Sequence, residues 1–161
     1  MRLATVLTSA LLAFSVLAVQ AGTLHPMLEA RLGVIRDGEP VSVIVHMTEQ
    51  APIAELNAEL KAERSTRAER HRRVVEALKT AALSQETLTE HLESSKGLGG
   101  VIGYTPYWIS NLLVVYGTKD AIYEIAARGD VDFVEPNFTV SLIEPVGERL
   151  DESDEEAQAL R

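Results

Sequence analysis

Val41, Val43, Val45 and Met47 alternate with Ser42, Ile44 and His46, the two-residue period of a strand with one face buried. Gly38 and Pro40 mark its start, and Thr48 to Pro52 reads as a loop. The period then changes. Residues 53 to about 95 hold no Gly or Pro and are rich in Ala, Leu, Glu and Arg, all good helix formers. An apolar seam at spacings of three and four runs through Val74, Val75, Leu78, Ala81, Ala82, Leu88 and Leu92. It predicts a continuous helix from Arg67 to Glu93, about 40 Å long. Ser65 and Thr66 are the positions at which this region would break or be capped, and Gly97, Gly99 and Gly100 end it.

Val101 to Trp108 and Leu112 to Tyr116 are rich in β-branched and aromatic residues and read as a hairpin turning around Ile109-Ser110-Asn111. Pro106 cannot donate to a ladder, so the first of these strands is expected at a sheet edge or a bulge. Thr118 is the expected N-cap of a short helix, Lys119 to Arg128, with Ile122, Ile125 and Ala126 inward and Gly129 as its stop. Val131 to Glu135 is the last strand, closed by Pro136. The order strand, helix, strand, strand, helix, strand predicts an α+β fold of the ferredoxin-like, split βαβ kind. That means a four-stranded antiparallel sheet with two helices on one face, the first helix unusually long. In the usual strand order the second and fourth strands are edges, and Pro106 and Pro136 fall on those two.

The flanks differ from this domain, which is bounded at residues 41–142. Arg2, the apolar run Leu3 to Val19 and the small-residue pattern Val19-Gln20-Ala21 predict a signal peptide, residues 1–21. The run is short for a membrane span, so the expectation is a secreted or periplasmic protein with no stable membrane insertion after cleavage. Residues 22–40 form a lead-in in which His25-Pro26 to Leu32 is a candidate short helix. Residues 143–161 carry Glu144, Glu148, Asp151, Glu152, Asp154, Glu155 and Glu156 against only Arg149 and Arg161, a composition expected to be disordered alone.

Charge and composition remove several function classes. With 24 acidic and 15 basic residues the formal net charge is −9, the wrong sign for general nucleic-acid binding. Arg64, Arg67, Arg70, Arg72 and Arg73 cluster locally, but residues 53–96 are neutral overall and read as a solvated helical face. The absence of cysteine excludes disulfides, thiol nucleophiles and zinc–thiolate sites. His25, His46, His71 and His91 form no HExxH pattern, and the tail lacks the residue order of a calcium loop. No GxSxG, P-loop or GxGxxG occurs, and Lys96 to Gly100 follows a helix instead of preceding one. No cofactor, no metal and no catalytic role are expected.

Tyr107-Trp108-Ile109-Ser110-Asn111, then Leu112 to Val115, Thr118 to Arg128 and Val131-Asp132-Phe133-Val134-Glu135-Pro136-Asn137 resemble the propeptide and inhibitor family of subtilisin-like serine proteases. Ala82, Ser84 and Gln85 in the long helix, and the strand Val41 to Met47, add to the likeness, which spans about residues 41–142 and is closest to the pro-regions of bacillopeptidase-F-like enzymes. The resemblance implies an intramolecular chaperone and protease inhibitor with the ferredoxin-like fold. Its helix-free sheet face would pack on the protease, and the segment after the last strand would enter the active-site cleft. Mapped here, the protease-contacting residues are Tyr107, Trp108, Glu135, Asn137, Phe138, Thr139, Val140 and Ser141, with the cleft segment running from Asn137 to about Pro145. At least one of Tyr107 and Trp108 is expected to be buried, against a helix or against the partner. The subtilase triad motifs Asp-Thr-Gly, His-Gly-Thr and Gly-Thr-Ser-Met are missing, so the chain itself is not expected to be a protease. The alternatives are a detached or truncated pro-region of a secreted subtilase, and an exported ferredoxin-like binding module of the cell envelope.

Overall fold

The computed structural model describes residues 21–138. The predicted signal peptide apart from Ala21, the acidic tail, and Thr139, Val140 and Ser141 lie outside the described residues. In chain order the elements are β1 (Thr23–Leu24), α1 (Pro26–Val34), β2 (Pro40–Met47), α2 (Ile53–Ala62), α3 (Arg67–Ala82), α4 (Gln85–Gly97), β3 (Val101–Tyr107), β4 (Leu112–Thr118), α5 (Lys119–Ala126) and β5 (Val131–Pro136).

The alternating residues of the expected first strand are β2, and its buried positions are Val41, Val43, Val45 and Met47. It lies at the middle of a five-stranded sheet of order β1-β5-β2-β4-β3. The pairs β5–β2, β2–β4 and β4–β3 are antiparallel, whereas β1 is parallel to β5. The α+β class therefore holds, but the expected sheet of four antiparallel strands is corrected to a mixed sheet of five. The cause is the lead-in: Thr23 and Leu24 pair with Phe133 and Val134, and the His25 N–H donates to the Val134 carbonyl at 2.8 Å. Two residues are too few to show a period in sequence. Pro106 stands on β3, an outer strand as expected, but β5 is not the outer strand on its side, because β1 pairs with it at Phe133 and Val134; Pro136 lies beyond that paired stretch.

Among the described residues three helices, not two, pack on the sheet. Leu28 and Leu32 of α1, Leu88 and Leu92 of α4, and Ile122 and Ile125 of α5 join Val43, Val45, Leu113, Val115 and Val134 in one buried cluster. The candidate helix at His25-Pro26 is α1, with Pro26 in its first turn and His25 Nδ1 accepting from the Met27 N–H.

The long helix is broken twice. After α2, Arg64 takes a left-handed φ of 56° and the Ser65 N–H returns to the Leu60 carbonyl at 3.0 Å; the Arg70 guanidinium also donates to the Leu60 and Ser65 carbonyls. Thr66 then caps α3, its Oγ accepting from the Glu69 N–H at 3.2 Å. The second break, at Leu83 and Ser84, falls inside the span expected to be continuous. There the Ala81 carbonyl, which an unbroken helix would offer to the Gln85 N–H, receives the Ser84 N–H, the Ser84 hydroxyl and the Asn111 side-chain amide. A tertiary partner thus ends α3 without any Gly or Pro. The seam is divided accordingly. Leu88 and Leu92 enter the sheet core, while Val74, Val75 and Leu78 are half-buried on α3, outside that core. Arg73 ties α3 to the end of α2 through Glu59 at 2.8 Å and Glu63 at 2.9 Å. α4 closes through Gly99, whose φ of 83° is left-handed, with the Gly100 N–H returning to the Ser95 carbonyl.

Candidate docking face

Residues directly opposite one another in a ladder share a face. One row across the sheet is Tyr107, Leu112, His46 and Phe133. A second is Thr105, Val114, Ile44 and Glu135, and a third is Gly103, Tyr116 and Ser42. These rows point away from Val43, Val45, Leu113 and Val115, so they form the face opposite the buried cluster. Ile44, Leu112, Val114 and Phe133 are half-buried and Tyr107 and Tyr116 are exposed. The alternation in β2 and β4 thus builds a core on one side and, on the other, a mostly apolar band that the helices of the core do not cover.

The band has a polar centre at its β5 side. His46 Nε2 lies 3.0 Å from Glu135 Oε1, with both side chains about one-third exposed. The Phe133 ring stands between His46 and His25, with centroids 5.9 Å and 5.8 Å away. Glu135, one of the residues singled out from sequence, therefore does face outward, and its partner His46 was not among them. Among the described residues no group of three or more His, Asp or Glu side chains could hold a metal ion.

The turn of the β3–β4 hairpin carries the other two aromatics. Trp108, expected within the strand, belongs to the turn instead, because β3 ends at Tyr107. Neither aromatic is buried by a helix: Tyr107 is 49% and Trp108 40% exposed. Together with Pro106, Ile109 and Ser110 they line an open depression of about 410 Å³, and the Lys79 ammonium stands 5.9 Å from the Trp108 ring centroid.

What holds this turn is Asn111. It is 2% exposed and has a φ of 42°, a region that Asn tolerates better than most side chains. Its Oδ1 accepts from Gln85 Nε2 at 2.7 Å, and its Nδ2 faces the Ala81 carbonyl and Ser84 Oγ at 3.0 Å each and the Glu49 carbonyl. Gln85 Nε2 also faces the Tyr107 carbonyl, at 3.3 Å. Ser84, Gln85 and Asn111, read from sequence as separate pieces of one resemblance, are thus one hydrogen-bonded knot. It locks the hairpin against the start of α4.

At the far end of the sheet the chain leaves β5. The Asn137 N–H donates to the Ser42 carbonyl at 3.1 Å, and Asn137 Nδ2 donates to Ser42 Oγ at 3.0 Å. Phe138 follows, 55% exposed. The residues named from sequence therefore do not form one cluster. Tyr107 and Trp108 lie at the hairpin end, Glu135 on the face, and Asn137 and Phe138 at the opposite end. Compared with protein-family models, with curated proteins and with solved structures, the chain finds no match in any of the three.

Proposed function

We propose that this chain is an exported inhibitor, and a folding chaperone, of a subtilisin-like serine protease. It docks its outer sheet face on the enzyme and lays the segment after β5 into the active-site cleft. The observation that carries this reading is the apolar band of Ile44, Leu112, Val114 and Tyr116, left uncovered by the helices and continuous with the chain end at Asn137–Phe138. The strand order is compatible with it: β2 to β5 follow one another as in a split βαβ unit, with β1 as an addition, so we propose the ferredoxin-like arrangement for these four strands.

In this reading the chain needs no reactive group and no cofactor. Burial of the band supplies a non-directional attraction proportional to the apolar area removed from water. An extended segment gains main-chain hydrogen bonds beside the substrate-binding strands of the enzyme. The docked sheet holds that segment at high effective concentration, so two weak contacts act as one strong one. The same surface, presented to a partly folded protease, would favour its native helices, since whatever binds only the folded state stabilises it.

The test is inhibition of several subtilisin-like proteases by the mature chain at micromolar concentration, beside a serine protease of unrelated fold. Loss of activity of at least one subtilase, with the unrelated enzyme unaffected, is expected. Full activity of every subtilase would remove this reading and leave an envelope-binding module as the alternative.

A further inference from the structure

In the antiparallel ladder of β5 with β2, hydrogen-bonded pairs alternate with non-bonded ones, and Pro136 lies opposite Val43 in a non-bonded pair, so the last main-chain bond of β5 to β2 is the one from the Asn137 N–H to the Ser42 carbonyl. A lone terminal bond beside solvent frays easily. Here it is doubled by the side-chain bond from Asn137 Nδ2 to Ser42 Oγ. Ser42 belongs to the outer face, opposite Tyr116, so the doubled bond stands at the corner where that face meets the departing chain. Proline also fixes its own φ and keeps Glu135 extended, so the approach to Asn137 is stiff.

We infer that Ser42 and Asn137 are positioning residues: their two-point clamp fixes where and in which direction the chain leaves the sheet, and so sets which residues of the following segment reach the cleft. This inference rests on the inhibitor reading above. Each residue that peels from β2 adds about 3.3 Å of slack to the tether, which is one residue of register along an extended peptide. Slack lowers the effective concentration of the segment and lets neighbouring bonds compete for the cleft.

The experiment compares the full mature chain with Ser42→Ala, Ser42→Thr and Asn137→Ala against a subtilisin-like protease that the wild type inhibits. The inhibition constant and the position of the first cut, read by mass spectrometry, are followed together with the thermal midpoint. Ser42→Ala and Asn137→Ala are expected to weaken inhibition about five-fold, the scale of one lost hydrogen bond. They should also spread the first cut over adjacent bonds, with the midpoint close to wild type. Ser42→Thr keeps the hydroxyl and should restore a single first cut. A purely structural role would move the midpoint and leave the cut where it is. Unchanged inhibition with the same single first cut in both alanine variants would overturn the clamp alone. Failure of the wild type to inhibit any subtilase would remove the function reading and the clamp with it.

Discussion

Gln85 donates to the Oδ1 of Asn111 across 2.7 Å, and this buried bond joins the first residue of α4 to the turn of the β3–β4 hairpin. Because Asn111 also faces the last turn of α3, one side chain decides both where the long helical region breaks and where the exposed aromatics Tyr107 and Trp108 are held.

Asn111→Ala should therefore destabilise the fold by about 2–4 kcal/mol. It removes the bonds to Gln85, to the Ala81 and Glu49 carbonyls and to Ser84, leaves the Gln85 amide only the longer contact to the Tyr107 carbonyl, and puts Ala, which tolerates a left-handed φ less well than Asn, at that position. Urea unfolding followed by circular dichroism gives the value. Asn111→Gly relaxes the backbone but not the lost bonds, so it should recover only a small part. A loss below about 0.5 kcal/mol for Asn111→Ala would show that the knot does not organise the turn.

Trp108→Ala separates core from interface. With the side chain 40% exposed, the change should cost about 1 kcal/mol or less in stability, well below the 3–5 kcal/mol typical of a buried tryptophan. If the hairpin end touches the protease, inhibition should nevertheless weaken. Denaturation and inhibition measured on one preparation decide the matter, and a large stability loss would place Trp108 in the core after all.

Val114 lies mid-face on β4, between Thr105 and Ile44. Val114→Glu puts a charge into the apolar band without touching the buried cluster. The fold should persist, and inhibition should weaken by at least about ten-fold, as for a charge placed at the centre of an interface. Equal inhibition by the variant would remove the outer face from the contact.

Asp130 links two elements, accepting from Arg128 at 2.6 and 2.8 Å and from Thr87 of α4 at 2.8 Å. Partial burial works against its ionisation, but the hydrogen bonds from Arg128 and Thr87 outweigh this and hold its carboxyl below the usual range. A folded pKa below the unfolded one contributes stability that is present above the unfolded value, about 3.9, and is lost as pH falls through the folded value. Asp130→Asn should therefore lower the thermal midpoint at neutral pH and make the acid limb shallower below about pH 4. Parallel acid limbs for the two proteins would contradict the link.

Much of this could be read from the chain because it is local. The alternation of Val41 to Met47, the stop at Gly99 and the proline of β3 each follow from short-range periodicity or backbone restriction. What escaped is tertiary. The break at Leu83–Ser84 depends on Asn111, and β1 depends on β5 for every bond it makes. His46 read only as one polar position of a strand, and its pairing with Glu135 needs the β2–β5 register. Asn137 was legible as the end of a motif, but its tie to Ser42 was not, since the two are distant in sequence.

The most direct measurement is methyl NMR of the mature chain titrated with a subtilisin-like protease whose nucleophilic serine has been replaced. The methyl signals of Ile44, Leu112 and Val114, on the outer face, should shift at saturation, while those of the buried Val43, Val45 and Leu88 stay close to their free positions. Shifts confined to Val74, Val75 and Leu78 of α3, or no shift at saturating enzyme, would contradict docking through the sheet.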